Sequence, residues 1–284
     1  MNHTRSITTT IKERVLPNII LSLCLTASSA AAHEFWLDPQ SSIVELGQSL
    51  SIDMRVGQNL VGQALPYLDN VVREMKHWPS DAPSDLKARL GDRPAMQDVA
   101  LDEPGLHRFT LETNPAFIVF ATFAEFTEYL EYEGLAEIAV MHIDRQLSQV
   151  DIAEAYVRNA RTLVQVGPLA PDHVDAATGL PFEFIVEGNP FAADQSEIDV
   201  RLTWQSEPAP FTQIAIFQKP SGVQASSVAT RTLVTTDKEG VAKVSLDVAG
   251  QYLLNAVRME PVEGPGSVVW QSHWASLAFN IPNS

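Results

Sequence analysis

The stretch IDVRLTW (residues 198–204) alternates apolar and polar residues along its whole length. Successive side chains of a β-strand point to opposite faces, so this alternation predicts a strand with one face in a core. Phe182, Phe184 and Val186 repeat the alternation a few residues earlier. Together the two stretches predict a half-buried sheet in the second half of the chain.

Five further stretches of the same type follow, separated by turns rich in proline and glycine; they are Gln213 to Gln218, Arg231 to Thr235, Val241 to Val248, Tyr252 to Met259 and His273 to Ile281. About seven short strands with regular turns are typical of an immunoglobulin-like sandwich. We therefore predict such a sandwich over residues 166–284, with another all-β barrel as the alternative.

The first half of the chain carries a similar pattern. Apolar and polar residues alternate from Leu50 to Val56, and Gly57 and Gly62 follow as turn markers. This pattern predicts a β domain over residues 33–121. The chain is accordingly expected to be mostly β, with two immunoglobulin-like β-sandwich regions.

Between these regions the apolar period changes to that of a helix. Apolar residues recur at helical spacing from Phe123 to Leu130, and Gly134 is a suitable stop. Further helices are predicted over residues 135–147 and 152–160, the last with Asp151 as its N-cap. Residues 122–165 are thus expected to be a helical insertion or connector.

The N-terminus has the layout of a secretory signal peptide. Basic residues precede an apolar run from about Val15 to Leu25, and Ala30 to Ala32 offer a cleavage site. The run is shorter than the roughly 20 residues that span a bilayer. We predict a signal peptide over residues 1–32, cleavage after Ala32 and a periplasmic location. A short core helix and a lipoprotein modified at Cys24 are the alternatives.

The composition of residues 33–284 excludes several classes of protein. The only cysteine, Cys24, lies in the predicted signal, so the mature chain has no disulfide. Residues 1–32 carry a net charge of +2 and the full chain −16, which leaves −18 on the mature protein. Such a charge repels nucleic acid and anionic lipid. No later segment is apolar enough to span a membrane.

The predicted cleavage makes His33 the first residue of the mature protein. An N-terminal histidine offers its α-amine and its ring Nδ1 to one metal ion, and nitrogen ligands of this type suit copper, nickel and zinc. One further histidine would complete a three-nitrogen site, and His273 and His142 are the candidates. The alternative is that His33 is first by chance. The other histidines, His77, His107 and His173, are expected to be solvated in or beside loops.

The sequence contains none of the usual catalytic signatures. It has no G-x-S-x-G motif, no dinucleotide-binding G-x-G-x-x-G and no P-loop. We therefore expect no enzyme activity; a copper oxygenase built on His33 is the least favoured alternative. Trp270 and Trp274 offer a possible stacking surface for a sugar, although packing in a core is the preferred interpretation.

Short stretches throughout the chain resemble a family of secreted bacterial proteins, domain of unknown function family 4198. They are residues 32–37, 56–59, 65–67, 126–130, 133–135, 154–158, 162–164, 179–183, 189–191, 236–237 with Gly240, 250–259 and 274–277. Residues 208–210 depart from the family pattern, because its turn lysine is absent here.

The resemblance implies immunoglobulin-like β domains, a periplasmic or surface location and, for some members, partnership with nickel or cobalt uptake systems. It implies that His33, within the N-terminal aromatic motif, carries the metal. Two hypotheses follow. The first is a non-catalytic periplasmic protein that binds copper, nickel or cobalt at its N-terminus and delivers it to an envelope metal transporter. The second is an interaction module that binds an envelope protein or a glycan without metal.

Overall fold

The protein is described by a computed structural model that covers residues 33–193 and 195–283. The predicted signal peptide lies outside these residues. The first half contains β1 (Glu34–Pro39), β2 (Ile43–Val44), β3 (Ser49–Gln58), β4 (Val61–Leu65), β5 (Val72–Trp78), β6 (Ser84–Asp85), β7 (Met96–Ala100), β8 (Gly105–Thr113), β9 (Ala116–Thr122), α1 (Phe123–Glu133) and α2 (Ala136–Asp144). The second half contains β10 (Val150–Val166), β11 (Phe182–Val186), β12 (Glu197–Trp204), β13 (Glu207–Pro208), β14 (Gln213–Pro220), β15 (Thr230–Thr235), β16 (Val241–Ser245), β17 (Gly250–Pro261) and β18 (Val268–Ile281).

One long sheet runs through the molecule. Its strands lie in the order β15-β14-β17-β18-β10-β8-β5-β6, and β2 and β9 also pair with β10. Two smaller sheets are formed by β1-β3-β4 with β7 on β3, and by β11-β12-β13 with β16 on β12. The prediction of a mostly β protein with several sheets is confirmed.

The cores lie between the long sheet and its partners. In the second half, Phe184 and Leu202 of the β11–β12 sheet pack with Leu254 and Leu277 of the long sheet. The first half has a corresponding core in which β1 and β3 pack against β5, β8 and β10. The sheets therefore pack in the manner of sandwiches, and the long sheet contributes to both halves.

The two longer predicted helices are present. α1 begins after Thr122, whose side chain accepts a hydrogen bond from the Glu125 amide, and ends at Gly134, which has a left-handed φ of 77°. Phe126 and Leu130 are buried in a third core together with Trp270 of β18. The amphipathic spacing thus identified this helix because one of its faces packs on the sheet.

The third predicted helix, over residues 152–160, is wrong, because these residues belong to β10. Asp151, its expected N-cap, has a positive φ of 53° and precedes the buried part of the strand. β10 pairs antiparallel with β9 and parallel with β18. Alanine and glutamate favour helices, but the hydrogen bonds and burial that these neighbours provide outweigh that weak local preference.

Candidate functional site

His33 lies at the start of the described chain, before β1. It is exposed, and its backbone carbonyl accepts a hydrogen bond from the Arg158 Nη2, at 3.2 Å. The residue lines the mouth of a cleft described below. A ligand in that cleft would therefore lie near His33.

His142, the second predicted metal ligand, is fully buried in α2. Its Nδ1 accepts a hydrogen bond from the Trp270 indole at 3.0 Å, and its Nε2 lies 2.9 Å from the Ser148 carbonyl. The ring also packs near Phe123 and Phe126. Both nitrogens are engaged within the protein, so a metal would have to displace one of these hydrogen bonds.

His273, the third predicted ligand, is half-buried on β18. Its ring centroid lies 4.5 Å from that of Trp204, and its Nδ1 is buried with no hydrogen-bond partner among the described residues. Burial lowers the pKa of this ring. The contacts of His33, His142 and His273 involve different side chains, and residues 33–193 and 195–283 contain no group of three or more His, Cys, Asp or Glu that could hold a metal.

Two histidines that were expected in solvated loops are instead buried in strands. His77 of β5 and His107 of β8 lie with Nε2 and Nδ1 2.8 Å apart, and His107 also contacts the Glu103 carbonyl. Burial lowers the pKa of His77 to about 4. The His77 ring stacks on Phe109, and its contact with His107 joins two adjacent strands.

A cleft of about 690 Å³, here called the Glu154 cleft, lies between the N-terminal segment, β9 and β10. The residues that matter for its chemistry are His33, Phe120, Glu154, Tyr156, Arg158 and Trp274. Ligand sites commonly have volumes of about 300–1,000 Å³ and combine aromatic walls with a few polar groups. The Glu154 cleft has both properties.

Glu154 is almost completely buried, with 1% of its surface exposed. Its Oε1 accepts a hydrogen bond from the Tyr129 hydroxyl at 3.2 Å and a short one from the Ser272 hydroxyl. Its Oε2 is buried and has no hydrogen-bond partner among the described residues. Burial raises the pKa of this carboxyl to about 7, against the pull of these two hydrogen bonds.

Arg158 lines the same cleft, further along β10. Its guanidinium carbon lies 4.7 Å from the centroid of the Tyr156 ring and 5.5 Å from that of Phe35. Its Nε is buried without a hydrogen-bond partner in the described part of the chain. Burial lowers the pKa of the guanidinium, which nevertheless stays charged at neutral pH.

Two further carboxyls are buried outside the cleft lining, in β1 and at the end of α1. Glu34 accepts a hydrogen bond from the Asn59 amide at 2.9 Å, and Glu133 lies 3.5 Å from the Asn255 side-chain nitrogen. Burial raises the pKa of Glu34 to about 7 and that of Glu133 to about 8. Glu34 is buried although its apolar neighbour Phe35 points to the opposite face, because both faces of β1 are covered.

Sequence reasoning did not identify Glu154 and Arg158 as site residues. As a helix, residues 152–160 would direct positions 154, 156 and 158 to different sides, whereas in a strand they share one face. The available signal was their place in the stretch 154–158 that resembles the secreted family. The incorrect helix therefore also concealed the site.

The packed sheets and the cleft define a mostly β, sandwich-like protein with a ligand-sized site. The family model described as domain of unknown function (DUF4198) matches residues 30–260, which is more than half of the 284 residues. The chain belongs to this family, as its resembling stretches predicted.

Comparisons with curated proteins and with solved structures give no further information on function. No curated protein matches the chain. A crystal structure of the chicken CNTN1 FN1-FN3 domains aligns over 86% of this chain with 10% identity and a TM-score of 0.20. The chain covers 66% of the length of that protein chain, and a TM-score this low carries no argument about fold or function.

Proposed function

We propose that this protein is a non-catalytic binding protein of the cell envelope whose ligand occupies the Glu154 cleft. The observation that carries the proposal is the Glu154 Oε2, a buried carboxyl oxygen at a ligand-sized cleft that has no hydrogen-bond partner within residues 33–193 and 195–283. A buried polar atom that lacks a hydrogen bond costs about 1–3 kcal/mol. A ligand that donates a hydrogen bond to this oxygen would recover that free energy.

The proposed location is the periplasm, reached through the signal peptide predicted over residues 1–32. After cleavage behind Ala32, the mature chain would begin at His33, at the mouth of the cleft. N-terminal sequencing of protein recovered from the periplasm tests this location. We expect a start at His33; a chain that retains residues 1–32 in the cytoplasm would contradict it.

For residues 166–284 we propose the immunoglobulin-like class of sandwich. The order β11-β12-β16 in one sheet and β15-β14-β17-β18 in the other supports it. The Tyr252 hydroxyl donates to the Val248 carbonyl at 2.7 Å, near the start of β17. A tyrosine bonded backwards at this corner is a recurring feature of such sandwiches.

The cleft proposal is tested by native mass spectrometry of protein purified gently from the envelope. Ala116, which pairs with Tyr156 across β9 and β10, lines the cleft, and Ala116→Trp would fill part of it. We expect a bound small molecule on the wild type and its loss from Ala116→Trp.

Ala121→Trp is the control, because Ala121 is exposed on the same strand outside the cleft lining. It should retain the molecule. Equal occupancy in all three proteins, or no bound molecule in any of them after incubation with envelope extract, would contradict the proposal.

A second candidate function is the binding of copper, nickel or cobalt at the mature N-terminus, for delivery to an envelope metal transporter. The exposed His33 favours it, since a free α-amine there would complete a chelate with the ring. Donors beyond His33 would then come from the cleft or from a partner.

Calorimetric titration of Cu²⁺, Ni²⁺ and Co²⁺ tests the second candidate. The mature protein is compared with a form that has one glycine before His33. Tight binding of one ion that is lost in the extended form supports the N-terminal site. Binding that ignores the added glycine, or none at all, would leave the metal-free interaction module as the function.

A further inference from the structure

The Glu154 cleft contains an acidic group, the Glu154 carboxyl, and a basic group, the Arg158 guanidinium, that do not form an ion pair with each other. Among the described residues, neither Glu154 nor Arg158 takes part in any ion pair. Both have a buried polar atom without a partner. Charged groups of this kind are rarely buried unless something pairs with them.

The spacing of these groups follows from the strand. Residues 154, 156 and 158 are alternate positions of β10, so their side chains lie on one face. At about 3.3 Å per residue, the Cα atoms of Glu154 and Arg158 are roughly 13 Å apart. An extended tripeptide spans about 10 Å, which is close to this separation once the side chains reach inward.

The wall between the two charged groups is aromatic. Tyr156 lies between them on β10, and Trp274 of β18, which pairs with Arg158, contributes from the same face of the sheet. Phe120 of β9 lines the cleft as well, and its partner Ile152 lies two positions before Glu154, so its ring is also on this face. Aromatic faces bind apolar side chains and attract ammonium groups.

Polar side chains of the cleft suit the backbone of a ligand. Asn70, Thr113 and Asn114 line the cleft. Thr113 Oγ1 already accepts from the Arg158 amide, and Asn114 Nδ2 donates to the Asp69 and Val72 carbonyls. The Thr113 hydroxyl proton, the Asn114 carbonyl oxygen and the Asn70 amide can serve peptide groups. An uncharged sugar would use the same groups and the aromatic faces but would leave Glu154 and Arg158 without a charged partner.

From this arrangement we infer that the ligand of the Glu154 cleft is a zwitterionic short peptide, with its ammonium group at Glu154 and its carboxylate at Arg158. The inference rests on the proposed function and specifies its ligand. The ammonium would donate to the free Glu154 Oε2, and Arg158 would bind the carboxylate through guanidinium N–H groups. Peptides of about two to four residues fit the separation.

The test uses calorimetric titration with the tripeptide Ala-Phe-Ala in three forms: free, N-acetylated and C-amidated. Against the wild type, we expect acetylation and amidation each to weaken binding at least tenfold. Glu154→Gln should weaken binding of the free peptide and should no longer distinguish it from the acetylated form. Arg158→Gln should lose the corresponding distinction for amidation.

Matched controls separate recognition from loss of structure. Glu133→Gln changes a carboxyl that is equally buried, and Arg231→Gln changes an arginine that also lies over a tyrosine ring, but neither residue lines the cleft. Both variants should bind the three peptide forms like the wild type. Arg158→Lys keeps the positive charge and serves if Arg158→Gln does not fold, as judged by circular dichroism.

Several results would overturn the inference. They are equal binding of the free, acetylated and amidated peptides by the wild type, losses of binding in Glu133→Gln and Arg231→Gln equal to those in Glu154→Gln and Arg158→Gln, and no binding of any peptide. If the peptides fail while native mass spectrometry finds an uncharged molecule displaced by Ala116→Trp, the binding function stands and the zwitterion is wrong. If the wild type carries nothing in either experiment, both proposals fail.

Discussion

At the scale of single residues, the unusual feature is a set of buried carboxyls that form no ion pair with any residue the structure describes. Glu34, Glu133 and Glu154 are each at most 5% exposed, and burial raises the pKa of all three. Each acid is therefore largely protonated in the folded protein below its raised pKa. Unfolding returns it to the ordinary value of 4.5.

This shift predicts how Glu133→Gln affects stability. The pKa of Glu133 is about 8 when folded and 4.5 when unfolded. Its favourable contribution is complete below about pH 4.5 and is lost as the pH rises through 8. We compare the unfolding free energy of Glu133→Gln with that of wild type at each pH. Between pH 5 and pH 9 this difference should shift in favour of the variant by at least about 1.4 kcal/mol, the free energy that corresponds to a shift of one pKa unit.

Urea denaturation at several pH values measures this difference. Glu128→Gln is the control, since Glu128 is exposed on the same helix. A difference between Glu133→Gln and wild type that stays constant with pH would contradict the prediction. Comparison with wild type is needed because His77, whose pKa is lowered to about 4, gives an opposite slope below pH 6.5.

A second prediction concerns the buried ion pairs of Arg161. Its guanidinium binds Asp175 at 2.7 Å and Glu183 at 3.0 Å, and it also donates to the Phe184 carbonyl. Arg161→Met would leave two buried carboxylates without their cation, which typically costs about 3–5 kcal/mol. Chemical denaturation should show a loss of that size.

Arg201→Met provides the comparison. Arg201 pairs with Glu187 at the surface, where both side chains are more than a third exposed. Exposed pairs contribute about 0–1 kcal/mol, so this variant should be nearly as stable as wild type. Similar losses in the two arginine variants would show that the burial of the Arg161 network has no special energetic role.

At the scale of elements, the β3–β4 hairpin depends on two glycines. They were expected to mark turns, but Gly57 and Gly62 face each other across the strands, and the turn is formed by Asn59 and Leu60 with φ of 53° and 57°. A Cβ on Gly57 would lie 2.1 Å from the Val61 carbonyl oxygen. The hairpin strands therefore approach too closely for any side chain at this pair.

Gly57→Ala is accordingly expected to destabilise the protein by about 1–3 kcal/mol, the usual cost of overpacking. Thermal unfolding followed by circular dichroism measures it. Gly266→Ala is the control, because a Cβ there would meet nothing within 4 Å. An unchanged melting temperature for Gly57→Ala would contradict the close approach of the strands.

At the scale of the whole molecule, β10 connects the two halves. It pairs with β18 from Ala153 to Thr162 and with β8 from Leu163 to Val166. Asn159 and Thr162 donate to carbonyls of β18 as well. The long sheet therefore belongs to both sandwich-like halves, and β10 is the strand that joins β18 of one half to β8 of the other.

We therefore predict that both halves unfold in one transition. Hydrogen exchange at increasing urea concentration, read by mass spectrometry, should show β3 and β12 losing protection together. Far-ultraviolet circular dichroism should give the same midpoint. Loss of protection in one half at clearly lower urea would contradict the prediction and would support the separate domains expected over residues 33–121 and 166–284.

The sequence by itself determined the elements whose signals are local. The alternation in residues 198–204 and the helical spacing from Phe123 to Leu130 identified β12 and α1. Apolar residues recur with the period of the strand or helix whose one face is buried, so the pattern indicates the element. The family was likewise recognisable from short stretches. These features depend on neighbours along the chain.

Only the tertiary structure decided the identity of β10 and the existence of the cleft. Residues 152–160 favour a helix locally, and they form a strand because β9 and β18 supply hydrogen bonds on both sides. Glu154 meets Tyr129 from 25 positions away and Ser272 from 118 positions away. Contacts over such distances leave no periodic pattern in the chain, so the site appears only once the sheets have packed.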